Sequence, residues 1–340
     1  MNVSDPTAEK RKKDHIELAF QSQVHQMELD KRFYYEPMLS GHPTTLPPLT
    51  FLGKQLQAPI WVSSMTGGTE KARIINTNLA RACKEFGMGM GLGSCRSLLE
   101  SDEYLPDFDV RSIIGDELPF YANLGIAQVE ELIRQKQTEK VGLLIDKLHA
   151  DGLFIHVNPL QEWLQPEGDK IQFPPIETIQ KMIELLPEVK IIVKEVGQGM
   201  GKASLSALMK MPITAIEFAA HGGTNFSKLE LFRNDVNANL HYSELTKIGH
   251  SAEDMVEMVN EILEEQPSES ILCKTFIISG GVKHFLDGHY LINQLNATAV
   301  YGQASTLLKY AQSSYEELQQ FLNYQIKGLA LAKSYLRIRK

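Results

Sequence analysis

Eight short apolar runs, alternating with helical patterns, constrain this chain more than any other feature of its sequence. The runs are Ala58–Ser64, Gly87–Leu92, Phe120–Leu124, Leu153–Val157, Lys190–Lys194, Ala215–Ala219, Thr275–Ser279 and Ala299–Tyr301. Helical periodicity falls between them, at Lys71–Phe86, Gln128–Gln135, Val141–Ala150, Ile176–Leu186, Ser204–Met211 and Ala252–Glu265. Strands rich in Val, Ile and Phe that alternate with helices are the pattern of βα units and a parallel sheet. Eight such units make the count of a (β/α)8 TIM barrel of the α/β class. Residues 51–340 are expected to form that barrel as a single domain, with Tyr315–Arg339 as a C-terminal helix. Residues 1–50 read as an N-terminal extension without a strand pattern. It carries the basic run Lys10–Lys13, a helix-like stretch Asp14–Met27 and a Pro- and Thr-rich connection Gly41–Thr50.

Composition narrows the partners. With 34 Lys+Arg against 42 Asp+Glu the net charge is −8, which argues against a nucleic-acid binder working through bulk charge. An anionic ligand must then be held by local basic side chains and backbone amides. Three cysteines, Cys83, Cys95 and Cys273, form no CxxC pair, so a disulfide framework or structural zinc site is not expected. No apolar run approaches the ~18 residues of a membrane span, and the N-terminus has no apolar leader region. The expectation is a soluble, cytoplasmic protein. The acids gathered in Glu253–Glu269 read as a solvated helix face.

The residues that follow each strand say more than the strands. All eight junctions carry glycine or a polar side chain, and in a barrel these ends converge on the face where active sites sit. Ser279-Gly280-Gly281 and Gly302-Gln303-Ala304, after the seventh and eighth strands, match the phosphate site of such barrels. Met65-Thr66-Gly67-Gly68 offers a flat backbone edge beside an aromatic ring system, and Asn123 adds an amide. Lys194 places a positive charge where it could stabilise a reduced flavin, or else pairs with Glu195. In extended backbone His156 and Asn158 would share a face, with Gln161 and Glu162 in the loop beyond. Glu162 is a hard ligand suited to Mg²⁺ beside a diphosphate.

Taken together, Arg11-Lys12-Lys13-Asp14-His15, Met65-Thr66-Gly67-Gly68, Gly93-Ser94-Cys95-Arg96, His156-Val157-Asn158-Pro159-Leu160-Gln161-Glu162, Lys194-Glu195-Val196-Gly197 and Gly222-Gly223-Thr224 resemble the type 2 isopentenyl-diphosphate isomerases in order and spacing. The resemblance runs from about residue 8 to about residue 335. It implies an FMN-dependent barrel of isoprenoid biosynthesis that interconverts isopentenyl and dimethylallyl diphosphate, active with reduced FMN and Mg²⁺, with NADPH as reductant. It implies cofactor contacts at Ser64, Met65, Thr66, Gly67, Ser94, Asn123, Lys194, Thr224, Gly281, Val282, Lys283, Ala304 and Ser305. Substrate contacts are implied at Arg11, Lys12, Ser94, Cys95, Arg96, His156, Asn158 and Gln161, with Gln161 and His156 as catalytic residues and Glu162 as the metal ligand. A mobile segment bearing Arg11 is expected to close over the site, and a homo-oligomer, tetramer or octamer, is expected. The chain departs from the family pattern at Lys283, where an Arg is common, and at Ala219-Ala220-His221, where a Ser-Gly pair is usual. Two other readings stand beside this one. FMN-dependent 2-hydroxy-acid oxidases carry a catalytic His before Gly-Gly, as His221 does here, but the Arg that should follow is Thr224, so His221 is expected to face solvent or pack locally. A catalytically inactive flavin- or phosphate-binding barrel is the third.

Overall fold

The computed structural model describes residues 7–63, 69–234 and 241–339. Three short strands precede the barrel: β1 (Phe33–Tyr35), β2 (Leu49–Phe51) and β3 (Lys54–Leu56). The barrel strands are β4 (Ile60–Val62), β5 (Gly89–Gly91), β6 (Phe120–Gly125), β7 (Leu153–His156), β8 (Ile191–Lys194), β9 (Ala215–Glu217), β10 (Thr275–Ser279) and β11 (Thr298–Gln303). They pair in parallel and close, β11 returning to β4 and β9 pairing with β10. All eight expected strands form. Five are shorter than their apolar runs by one to four residues, β10 matches its run, and β6 and β11 extend beyond theirs.

Apolar side chains fill the barrel. Trp61, Tyr121 and Phe154 meet inside it with ring centroids 5.9–6.2 Å apart and their planes tilted or edge-on, the arrangement aromatic quadrupoles favour. Outside, the helix Ala252–Glu265 starts on a reciprocal cap between Ser251 and Asp254 and buries Met255, Val256, Val259 and Ile262. Its acids face outward, as expected, and Glu261 and Glu265 bind Lys202 at 2.9 and 2.8 Å.

The extension differs from its reading. The hairpin of β2 and β3 covers the N-terminal end of the barrel, with Phe51 edge-on to Trp61 at 6.1 Å, so the boundary expected at residue 50 falls inside a hairpin. The first helix spans Ala8–Leu18 rather than starting at Asp14, and Gln26–Glu28 is a separate 3₁₀ turn. The C-terminal helix ends at Tyr335, and the next residues form β12 (Leu336–Ile338), antiparallel to β1. Phe33 stacks on His289, and Arg32 binds Asp287 at 2.9 Å, so this ribbon is anchored on the helix Phe285–Gln294 that follows β10.

Candidate functional site

The C-terminal ends of β8 to β11, with Ser63 beyond β4, surround a cavity of about 450 Å³. Lys194, Thr224, Gly281, Val282, Lys283, Ala304 and Ser305, all expected cofactor residues, line it. So do Gln303, from the expected phosphate motif, and Ser63 and Glu217, to which the sequence had assigned no role. Ser63 Oγ, Glu217 Oε2 and Gln303 Oε1 are buried and lack a hydrogen-bond partner among the described residues, the condition of atoms that await a ligand. The walls are interlocked. Ser279 Oγ donates to Glu217 Oε1 (2.8 Å) and accepts from Ala219 N (3.0 Å), which ties the turn after β9 to the end of β10. Gly280 sits at φ +93°, and a Cβ there would stand 2.1 Å from the Ala220 carbonyl oxygen, so only glycine lets the two turns meet.

Lys194 closes one side of the cavity. Only 6% exposed, it donates to the Glu195 backbone carbonyl at 3.0 Å. The Glu195 carboxylate turns away and accepts from the amides of Gly197, Gln198 and Gly199. Burial pushes the pKa of that carboxyl up against these bonds, and the Lys194–Glu195 ion pair does not form.

A polar cluster occupies the neighbouring ends of β6 and β7. Asn123, 2% exposed, donates its amide to the Leu92 carbonyl at 2.9 Å, which leaves Oδ1 facing His156 Nδ1 at 2.7 Å. Nδ1 therefore carries the imidazole proton and Nε2 presents a lone pair. Burial, and then the Lys194 ammonium on the adjacent strand, push the His156 pKa down to about 3, so the ring is neutral at pH 7. β7 ends at His156, so Asn158 does not share its face through strand geometry. It stands instead at the N-cap position of the helix Pro159–Leu164, where its side chain makes no capping bond but donates to Gln161 Oε1 (3.1 Å) and Glu162 Oε1 (2.9 Å). Gln161 donates to the buried Glu230 at 3.2 Å, and Glu230 binds Arg233. Arg96 Nη1 binds Asp169 Oδ2 at 2.7 Å, and Asp169 N donates to Glu162 Oε2 at 2.7 Å. Among the described residues no three His, Cys, Asp or Glu side chains are grouped for a metal. Glu162 is there a single carboxylate, its two oxygens held by Asn158 and the Asp169 amide, so an ion on it would have to draw its further oxygens from water or a phosphate.

The structure thus joins Asn158, Gln161, Glu162, Asp169 and Arg96 in one network, while Asn123 and His156 form a separate pair at the strand ends, His156 opposite Lys194 in the ladder. Ser94 is exposed, whereas Cys95 is fully buried, its thiol toward the Gly93 carbonyl and its pKa pushed up to about 12 by burial. Cys95 therefore belongs to the core and does not reach the mouth. Arg11 and Lys12 are exposed on the helix Ala8–Leu18, which buries none of its residues. Ser64, Met65, Thr66 and Gly67 lie outside the described residues. His221 is exposed, as expected, with its amide on the His250 carbonyl. Glu217 could have been noticed as a lone acid in an apolar strand run. Asp169, Gln128 and Glu230 carried no comparable signal.

No family model matches the chain. It is 36% identical over 314 residues to the isopentenyl-diphosphate delta-isomerase of Rickettsia akari (strain Hartford), covering 89% of this chain and 86% of that protein. The isopentenyl-diphosphate delta-isomerase of Rickettsia africae (strain ESF-5) is 34% identical over 331 residues, 94% of this chain and 91% of its own. Among solved structures, a mandelate oxidase variant with a monooxide FMN adduct superposes with a TM-score of 0.55 at 11% identity, covering 91% of this chain and 89% of that one. The flavin-binding domain of baker's yeast flavocytochrome b2 gives 0.55 at 13% identity, over 87% and 71%. Those likenesses are of fold. No helix among the described residues is long and apolar enough to cross a membrane.

Proposed function

The chain belongs to the isopentenyl-diphosphate delta-isomerase family, and from that premise we propose that it interconverts isopentenyl and dimethylallyl diphosphate over a reduced FMN seated in the cavity at the strand ends. The observation that carries this reading is Lys194. Its buried ammonium lines the cavity and also acts on His156, so the cavity and the polar cluster work as one site.

Reduced FMN, when bound, supplies an electron-rich ring able to give and take a proton with no net redox change. Lys194 would fix a positive charge beside that ring. Thr224, the Gly281–Lys283 turn, Ala304 and Ser305 would hold its phosphate and edges, and the unpartnered oxygens of Ser63, Glu217 and Gln303 suit the donors of a polyol chain. Arg96, Ser94 and His156 would grip the diphosphate, with Gln161 on the substrate side and Mg²⁺ on Glu162. His156 can donate to that anion only by taking a proton at Nε2, a change that a negative charge against the ring favours. The N-terminal segment with Arg11 and Lys12 would close the mouth and exclude water. NADPH as the source of electrons and a tetrameric or octameric assembly complete the reading. The exposed His221, followed by Thr224 rather than an Arg, favours it over a 2-hydroxy-acid oxidase.

Titration with FMN should give a yellow protein that is inert until dithionite bleaches it. The bleached protein should then convert isopentenyl diphosphate, followed by proton NMR, with a requirement for Mg²⁺. A reduced, FMN-loaded chain that leaves the substrate unchanged overturns the activity, and a chain that takes up no FMN overturns the cofactor.

A further inference from the structure

Asp169 stands where the two charged grips of the cluster meet. Its carboxylate Oδ2 accepts from Arg96 Nη1 at 2.7 Å and from Gln128 Nε2 at 3.0 Å, while its backbone N–H goes to Glu162 Oε2 at 2.7 Å. The placement is built into the loop. A Cβ on Gly168 would lie 1.9 Å from the Glu162 carbonyl oxygen, so glycine lets the loop lie flat on the helix Pro159–Leu164. Further on, the amides of Gln172 and Phe173 are fastened to the Glu130 carboxylate at 3.0 and 3.3 Å. Asp169 thus turns a negative group toward Arg96 and a positive dipole toward Glu162. A metal-bound diphosphate would present the same polarity, anion to Arg96 and cation to Glu162.

Resting on the diphosphate reading above, we propose that Asp169 is a specificity-determining residue that makes this site accept a diphosphate only when the ligand brings its own cation. Arg96 supplies one positive charge where Asp169 and Glu162 supply two negative ones. A bare diphosphate on Arg96 meets two carboxylates directly beside it, with nothing of its own to offset them, and must also break the Arg96–Asp169 pair. A divalent cation on the ligand offsets both carboxylates. The pair is 59% and 38% exposed, so displacing it costs little, and repulsion of the unescorted anion dominates.

Calorimetric titration of the FMN-loaded full chain with inorganic pyrophosphate, once with Mg²⁺ and once with a chelator, tests this. The wild type should bind much more weakly without Mg²⁺. In Asp169→Asn the metal-free Kd should fall by about tenfold, while the Mg²⁺ Kd moves by less than about threefold. Asp169→Ala should behave alike, with the melting temperature of each variant confirming its fold. An unchanged ratio of the two Kd values, or a parallel rise of both, overturns the proposal while leaving the diphosphate site intact. A wild type that binds pyrophosphate in neither condition overturns the site and the proposal together.

Discussion

His156 owes its protonation state to its neighbours. Burial and the Lys194 ammonium hold its pKa near 3, against about 6.5 for a free imidazole, and Asn123 selects the tautomer. On acidification the unfolded chain therefore takes the proton first. The contribution is fully present above about pH 6.5 and is lost as the pH falls toward 3, by about 1.4 kcal/mol per unit in that window. Between pH 7.5 and pH 5 the wild type should lose about 2 kcal/mol more unfolding free energy than His156→Gln, measured by urea denaturation at each pH. Parallel pH profiles for the two proteins would reject the environment assigned to this ring. The sequence pointed to His156, Lys194 and Glu162 because each sits at or just past a strand end. It could not point to Asp169, whose role comes from a loop folding back on Arg96 and Glu162. Cys95 misled for the opposite reason, since being next to Arg96 in sequence puts its side chain on the buried side of the turn.

Among elements, the turns after β9 and β10 are one unit. Ser279 bonds Glu217 and Ala219, and Gly280 packs directly on Ala220. Gly280→Ala must both strain a backbone at φ +93° and push Ala220 aside, so FMN Kd should rise more than about tenfold and the melting temperature should fall. Gly115→Ala is the control: its φ is +81° but nothing lies within 4 Å of the added carbon. It should cost about 1 kcal/mol of stability and leave FMN affinity unchanged. Equal effects on FMN fluorescence quenching in the two variants would show that the packing of the turns is irrelevant to the cavity. The barrel strands were legible because each is a local apolar run whose partner follows one helix later. β1 and β12 were not, because three residues at either end of the chain carry no periodicity and find each other only after the fold has formed. The first helix was misplaced because it buries nothing, so no apolar face marks its start.

At the scale of the molecule the barrel has a working end and a structural end, and the charges divide accordingly. At the working end the ribbon of β1 and β12 fixes Arg32 on Asp287 next to Lys283, so the extension enters from the rim of the cavity. That entry point suits closure by the segment before it, and removing residues 1–14 should raise KM sharply with FMN still bound. An unchanged KM removes the closing role. At the opposite end Asp151 binds Lys54 at 2.6 Å, Arg111 at 3.0 Å and the Phe120 amide at 2.9 Å, with the carboxylate 18% and Arg111 8% exposed. This acid joins the β2–β3 hairpin to the strands it covers. Asp151→Asn keeps the shape but leaves Lys54 with a neutral partner and Arg111 with only the exposed Asp116 at 3.7 Å, and a half-buried pair broken on one side costs about 3 kcal/mol. The expected result is a melting temperature lower by several degrees, with kcat, KM and FMN affinity unchanged because the cluster faces away from the cavity. A fall in activity at temperatures where Asp151→Asn is fully folded would mean that the two ends are coupled through the barrel and that its charges do not divide into working and structural sets.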